Sequence, residues 1–95
     1  MCGYKELIPI YDRQKSFYGK AHVHIYDDYA YLISYNTAVC LVDFSDNSIH
    51  RLWGGYSVTT MRHINEFIKQ YADYPESMWF SKSDWENMIV ERGLF

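Results

Sequence analysis

Residues 54–63 hold the densest group of chemically useful side chains in the sequence, GGYSVTTMRH. The segment combines two glycines, three hydroxyl side chains, an arginine and a histidine, and it lies where a helical apolar pattern begins. The free amides and partial positive charge of a helix start attract anions, and an arginine can add paired donors. The segment therefore predicts a phosphate or carboxylate site built from Ser57, Thr59, Thr60, Arg62 and His63.

The same segment also has a purely structural interpretation. Gly54 and Gly55 can form a tight turn, and Ser57, Thr59 or Thr60 can cap the helix by accepting a hydrogen bond from a first-turn amide. The segment lacks the Gly-Lys-Ser/Thr ending of a P-loop and the three spaced glycines of a dinucleotide fold. We therefore expect a turn and a helix cap here, with anion binding as the alternative.

Two histidines lie in a stretch of alternating polarity. His22 and His24 are two positions apart, so both project from the same side of a strand. With His50 or His63 they could form a three-nitrogen metal site, but no further ligand follows at a fixed spacing. We expect no metal, and we place His22 and His24 with Tyr18 on the polar side of a sheet as candidate binding residues.

The sequence shows no pattern typical of an enzyme. Cys40 lies in an apolar strand, where burial raises the pKa of a thiol and lowers its reactivity. Ser57 and His63 lie on different sides of a helix start, so they do not form an activated pair. Asp27 and Asp28 are adjacent and fit a turn better than a pair of catalytic acids. We expect no enzymatic activity and no cofactor.

Four strands are predicted to position these residues. Apolar and polar residues alternate over residues 17–25, and three β-favouring stretches follow, separated by polar turns. The aspartates at 27 and 28 supply the first turn, and the cluster at 45–48 predicts a hairpin loop. The predicted strands are residues 17–25, 29–35, 38–44 and 49–53.

Two helices are predicted after the strands. Beyond Gly55 the apolar residues recur every three or four positions, which predicts an amphipathic helix that ends at Tyr74 and Pro75. A shorter helix is predicted to begin at Ser81 or Ser83 and to end before residue 93. The polar side of the first helix would carry Arg62, Asn65, Glu66, Lys69 and Gln70. The apolar side of the second would carry Trp85, Met88 and Ile89.

Strands followed by helices favour an α+β fold with two layers. We expect a four-stranded antiparallel meander sheet, packed on one face by one long and one short C-terminal helix. At 95 residues the chain is one domain, since it cannot form two separate cores. Its expected parts are an N-terminal arm at residues 1–15, the β-meander at 16–53 and the helical part at 57–92.

Composition excludes several classes of function. The net charge of −3 argues against a general nucleic-acid binder, because phosphate neutralisation needs a surplus of lysine and arginine. No apolar run approaches the roughly 18 residues of a membrane span, and the N-terminus lacks the features of a signal peptide. We expect a cytoplasmic protein with no membrane partner.

Aromatic residues make up 19% of the chain, with ten tyrosines, five phenylalanines and three tryptophans. A small domain cannot bury so many rings, and exposed tyrosine and tryptophan are enriched at protein interfaces. The composition therefore favours a binding surface, for which Trp53 and Tyr56 are further candidates. The alternative is that tyrosine simply suits half-buried strand positions.

Three runs carry a resemblance to a known family: KSFYGKA at residues 15–21, SYNT at 34–37 and WGGYSVTTMRHINEF at 53–67. They resemble a family of small uncharacterised domains from phages, plasmids and gut bacteria. The resemblance covers roughly residues 4–71 and implies a genomic setting without a mechanism. Small proteins in that setting often act on host machinery, for example as inhibitors of CRISPR nucleases or as sponges for signalling nucleotides.

Two hypotheses of function follow. The first is a small non-catalytic binding protein of phage or mobile-element type that contacts a host protein, such as an inhibitor of a CRISPR defence system. The second is a binder or sponge of a phosphate-bearing ligand or nucleotide at the start of the first helix, either as a monomer or across a homodimer.

Overall fold

The structure is a computed structural model that describes residues 3–91, and five strands precede two helices. The strands are β1 (Gly3–Glu6), β2 (Ala21–Ile25), β3 (Tyr29–Ser34), β4 (Thr37–Asp43) and β5 (Ser48–Arg51). The helices are α1 (Val58–Tyr71) and α2 (Lys82–Glu86).

All five strands form one antiparallel sheet in the order β1-β2-β3-β4-β5, so each pairs with its neighbour in the sequence. The β3–β4 turn illustrates the local cause of this arrangement. Tyr35 and Asn36 have φ angles of 51° and 69°. Positive φ at both central residues matches the twist of a two-residue hairpin. The α+β class and the antiparallel meander are confirmed, whereas the prediction of four strands is wrong.

The additional strand, β1, lies in the segment that was expected to be an arm. Its four residues, GYKE, are all exposed at the sheet edge. A strand that buries neither face needs no alternation of apolar and polar residues, and this alternation is the pattern by which a half-buried strand is predicted. Pairing with β2 defines β1 instead, with Tyr4 opposite His24. The first predicted strand begins too early, because residues 17–20 form a turn in which the Lys20 N–H donates to the Phe17 carbonyl.

The core lies between α1 and one face of the sheet, which we call the inner face. Alternate strand residues such as Val23, Leu32 and Val42 are fully buried there, in one cluster with Ile64 and Phe67 of α1. Each such side chain stabilises the fold by roughly 1.5 to 3 kcal/mol on burial. The inner-face packing therefore fixes the position of α1 against the sheet.

Helix α1 begins at Ser57, whose Oγ accepts a hydrogen bond from the Thr60 N–H at 3.0 Å. The predicted polar side is wrong at two positions, because Asn65 and Glu66 are buried. Both have partners far along the chain: Asn65 pairs with the backbone of Phe80, and Glu66 binds the segment before β2.

Helix α2 is shorter than predicted. Ser81 caps it, with reciprocal hydrogen bonds between Ser81 and Asp84. Only Trp85 of its predicted apolar side is in the helix, since Met88 and Ile89 follow its end, and Gly93 lies outside the described residues. Neither helix of residues 3–91 has the length and apolar character needed to cross a membrane.

Candidate functional site

The sheet face opposite α1, which we call the outer face, carries a continuous group of six rings. Tyr4 stacks on His22 with the ring centroids 5.3 Å apart, and its edge meets His24 at 4.3 Å. His24 stacks on Tyr31 at 4.8 Å, and Tyr31 in turn lies 6.1 Å from Tyr26. The outer aromatic cluster is the name used below for Tyr4, His22, His24, Tyr26, Tyr29 and Tyr31.

Strand geometry explains how the sequence builds this cluster. Successive side chains of a strand point to opposite faces, and residues opposite each other on paired strands are close enough to interact. Tyr4, His24 and Tyr31 occupy one row across β1, β2 and β3. The cluster therefore follows from three strands in register, two of which the sequence predicts.

Charge on the outer face has one sign. None of the lysines and arginines occupies an outward strand position, whereas Glu6 and Asp43 do. Asp43 accepts hydrogen bonds from the Oγ and N–H of Ser45, which hold the pKa of its carboxyl below the ordinary value. Beside it, a cavity of about 250 Å³ is lined in part by Asp28, Tyr29 and Leu41. The rim of the outer aromatic cluster is thus acidic.

The four histidines do not converge on one point. His22 and His24 project outward from β2, whereas His50 lies on β5, three strands from β2 and therefore about 14 Å away. His63 is buried on α1, on the other side of the sheet. No group of three potential metal ligands occurs within residues 3–91.

Most of the predicted helix-start residues make hydrogen bonds inside the fold. Ser57 caps α1, and the Oγ1 of Thr60 lies 3.1 Å from the Oγ of Ser34. The same Ser34 Oγ lies 2.9 Å from Nδ1 of His63. Thr59 is exposed, and its hydroxyl has no hydrogen-bond partner in the described part of the chain.

Arg62 also has an internal partner. Its Nε and Nη2 donate to the two carboxylate oxygens of Asp12 at 3.1 and 2.8 Å. Burial of Asp12 opposes ionisation, but the Gln14 N–H and the Arg62 guanidinium outweigh it and hold the pKa of the carboxyl below its ordinary value. Phosphate binding at the helix start therefore stays a prediction that thermal-shift measurements with nucleotides can test.

His63 is expected to make the fold less stable in mild acid. Burial, assisted by Arg62 and opposed by Asp12, lowers the pKa of His63 to about 4. An unfolded chain binds a proton near pH 6.5, so stability decreases as the pH falls from there towards 4. The expected loss between pH 7 and pH 5 is about 2 kcal/mol.

Urea denaturation at the two pH values measures this loss. His63→Gln keeps a polar side chain near Ser34 but cannot titrate, so its unfolding free energy should vary less with pH over the same interval. An equal pH dependence in the wild-type protein and the His63→Gln variant would assign the effect to another group.

The segment between β5 and α1 is held by a buried arginine that the sequence analysis did not single out. Arg51 is only 6% exposed, and it donates to the carbonyls of Trp53, Trp85 and Met88 at 2.9, 2.9 and 3.3 Å. The indole N–H of Trp85 donates to the carbonyl of Gly55 at 2.9 Å. These bonds join the two-glycine segment to α2.

Gly55 is expected to be intolerant of a side chain. A Cβ at this position would lie 2.4 Å from the Trp53 ring, so Gly55→Ala should displace the indole and cost about 1 to 2 kcal/mol. Chemical denaturation measures the change. Gly3→Ala is the matched control, since a Cβ there meets nothing within 4 Å. Equal stability of the two variants would show that Trp53 moves without cost.

A family model described as "Family of unknown function (DUF8033)" matches residues 5–87. The chain belongs to this family. The matched range includes residues 72–87, which lie beyond the expected resemblance, so α2 is part of the DUF8033 domain. No curated protein and no solved structure matches the chain.

In this DUF8033 domain the predicted binding residues separate into distinct places. His22 and His24 lie on the outer face, as the alternating pattern predicts. Tyr18 does not, because it lies in the turn before β2 with φ 54° and is 79% exposed. A cavity at the start of α1 brings together Trp53, Tyr56, Ser57 and Thr60.

Four members of the outer aromatic cluster were not among the predicted site residues: Tyr4, Tyr26, Tyr29 and Tyr31. The position of Tyr31 could have been predicted, because Tyr29, Tyr31 and Ile33 alternate with buried residues along β3 and therefore share one face of the sheet. Burial, together with a hydrogen bond involving Tyr26, raises the pKa of the Tyr31 hydroxyl. For Tyr4 the sequence offers no signal, since the pairing of β1 with β2 alone brings it to this face.

Proposed function

We propose that the protein is a non-catalytic protein-binding module whose contact surface is the outer face of the sheet. The observation that carries the proposal is the outer aromatic cluster, six rings linked by successive pairwise contacts on the face opposite α1. Tyr4, which touches two of the other rings, is itself 58% exposed. Exposed tyrosines supply large rigid contact areas and are enriched among residues that dominate binding energy.

The burial of Cys40 and the internal hydrogen bonds of Ser57 and His63 support a binding role over catalysis. Cys40 is fully buried, and burial raises the pKa of its thiol. Ser57 and His63 are occupied by hydrogen bonds that stabilise the fold. Neither the Cys40 thiol nor the Ser57 hydroxyl is therefore placed to attack a substrate.

The partner that fits this face is a protein with apolar side chains at the centre of its contact surface and lysines or arginines around them. Outward carboxylates at Glu6 and Asp43, with Asp28 beside them, give the face an acidic rim. Opposite charge at the rim accelerates association and aligns the two surfaces, and salt weakens it. We therefore expect the association rate to fall as ionic strength rises.

Within the setting that the resemblance implies, we propose that the partner is a protein of host defence, such as a CRISPR nuclease. A nuclease cleavage assay with the purified protein in stoichiometric excess tests this choice. Inhibition should be lost in the Tyr4→Ser variant. A rate of cleavage unchanged by the wild-type protein would reject that nuclease as the partner without affecting the assignment of the surface.

The surface itself is tested by comparing two tyrosine variants. Affinity capture from a bacterial lysate supplies candidate partners, and each is then purified and titrated against wild-type protein, Tyr4→Ser and Tyr18→Ser. Loss of an aromatic residue that dominates binding costs about 2 kcal/mol or more, so Tyr4→Ser should weaken binding by about thirtyfold. Tyr18 is more exposed but lies outside the outer face, so Tyr18→Ser should change affinity little.

Two results would contradict the proposal. Equal affinity of the Tyr4→Ser and Tyr18→Ser variants would place the contact elsewhere on the molecule. A homodimer in light scattering that Tyr4→Ser dissociates would show that a second copy of the chain, and not another protein, covers the face.

A further inference from the structure

A second feature, separate from the outer face, is a cavity of about 260 Å³ at the start of α1, which we call the helix-start cavity. It lies between the β3–β4 turn and the segment that joins β5 to α1. Ligand sites for drug-sized molecules usually measure about 300 to 1,000 Å³, so this one suits a compound with a single ring.

The lining of the helix-start cavity is aromatic and hydroxylic. Tyr35, Trp53 and Tyr56 supply rings, and Ser34, Thr37, Ser57 and Thr60 supply hydroxyls. No charged side chain lines it. Within residues 3–91, the Trp53 indole N–H and the hydroxyls of Tyr35, Tyr56 and Thr37 have no hydrogen-bond partner. The cavity thus offers free polar groups beside aromatic surface.

We propose that the helix-start cavity binds an uncharged pyranose sugar. The C–H groups of a sugar ring carry partial positive charge and complement the negative faces of aromatic rings. Its hydroxyls both donate and accept hydrogen bonds, as do the hydroxyls of Tyr35, Tyr56 and Thr37.

A phosphate would need a cation, and none lines the cavity: Arg62 is bound to Asp12. Two lysines, Lys20 and Lys82, lie over the rings of Tyr35 and Tyr56 at 6.0 and 4.9 Å from the centroids, so phosphate is kept as a comparison compound in the test below. A nucleobase would suit amide or carboxylate partners, which are also missing from the lining.

Close packing fixes the Trp53 ring of the cavity, and a left-handed backbone conformation fixes the position of Tyr35. Trp53 lies against Gly55, where even a methyl group would collide with its ring, and its carbonyl accepts from Nε of Arg51. Tyr35 occupies a left-handed backbone conformation with φ 51°, which asparagine or glycine adopts more readily. Tyrosine at this turn position therefore makes the turn less favourable than asparagine or glycine would, but its ring forms one wall of the cavity.

Titration with glucose, galactose, mannose and N-acetylglucosamine tests the proposal, with amide and indole signals recorded by NMR. At least one sugar should shift the Trp53 indole signal saturably, with a dissociation constant of about 1 to 10 mM. The indole signal of Trp79, which lies outside the cavity, should stay unchanged. Adenosine and inorganic phosphate serve as comparison compounds.

Two tyrosine variants separate binding from folding. Tyr35→Asn and Tyr18→Asn make the same change at the same type of left-handed backbone, but only Tyr35 lines the cavity. Neither variant should have a lower melting temperature than the wild-type protein, because asparagine tolerates this conformation. Sugar affinity should fall about tenfold or more in Tyr35→Asn, and it should be unchanged in Tyr18→Asn.

Three outcomes would overturn the assignment. The first is that none of the four sugars gives a saturable shift of the Trp53 signal. The second is that adenosine or phosphate shifts that signal and the sugars do not. The third is that Tyr35→Asn and Tyr18→Asn bind the sugar equally well.

Discussion

Replacing Arg51 with methionine is expected to lower the free energy of unfolding by about 3 kcal/mol. The change leaves the carbonyls of Trp53 and Met88 without their guanidinium donor, and it removes the cation from beside the Trp85 ring, 4.8 Å away. A 95-residue domain has a total stability of about 5 to 14 kcal/mol, so this single loss is a large part of it. Urea denaturation, followed by tryptophan fluorescence, measures the change.

Hydrogen-bond geometry, more than charge, gives Arg51 its effect. No carboxylate pairs with it in residues 3–91, and its partners are backbone carbonyls from both sides of α1 in the sequence. A lysine keeps the charge but lacks the planar fork, so Arg51→Lys should lose most of the same stability. Arg13→Met, at an exposed arginine, should change stability by less than about 0.5 kcal/mol. Full stability in Arg51→Lys would show that charge alone is sufficient.

The role of Arg51 illustrates what a sequence cannot show. In the sequence it is an arginine near the end of a predicted strand, and arginines are mostly exposed. Its burial depends on the carbonyls of Trp85 and Met88, which lie 34 and 37 residues further along the chain. No local pattern records that contact, since it arises only when the segment around α2 packs on β5.

Elements with strong local signals were predicted well. Period-two alternation identified β2 and the outward direction of His22 and His24, and period-3.6 spacing with a serine cap identified α1 from Ser57 onwards. These signals are local because backbone geometry alone sets them. Strand β1 lacked such a signal, and with it the sequence analysis missed Tyr4 and the continuity of the outer aromatic cluster.

The candidate sites followed the same division. Residues 54–63 were singled out because glycines, hydroxyls and an arginine with a histidine are concentrated there, and of these Tyr56, Ser57 and Thr60 line the helix-start cavity. Their chemistry was not predictable in the same way: the sequence places Arg62 near the hydroxyls, whereas the fold turns it to Asp12, 50 residues earlier. Because Arg62 is paired with Asp12 and does not line the helix-start cavity, we expect this cavity to favour an uncharged molecule over an anion.

Glu66→Ala is expected to destabilise the fold by about 3 kcal/mol and to release the segment before β2. Glu66 is 1% exposed, and its Oε1 accepts the backbone N–H groups of Tyr11 and Asp12, each at 2.9 Å. Its Oε2 accepts from Nε2 of Gln70 at 2.5 Å, and the same nitrogen donates to the carbonyl of Ile8. The Glu66 side chain thus accepts three hydrogen bonds while almost fully buried, so we expect it to be the main anchor of this segment on α1, beside the Arg62–Asp12 pair.

Hydrogen exchange distinguishes release of this segment from general unfolding. In Glu66→Ala the amides of Tyr11 and Asp12 should exchange much faster, while those of β3 should change only as far as global stability requires. Glu66→Gln keeps one accepting oxygen and the size of the side chain, so its expected loss is about 1 kcal/mol. Glu86→Ala, at an exposed glutamate of α2, should have almost no effect. Continued protection of both amides in Glu66→Ala would mean that Arg62 and Gln70 suffice to hold the segment, and that the buried carboxylate is not its main anchor.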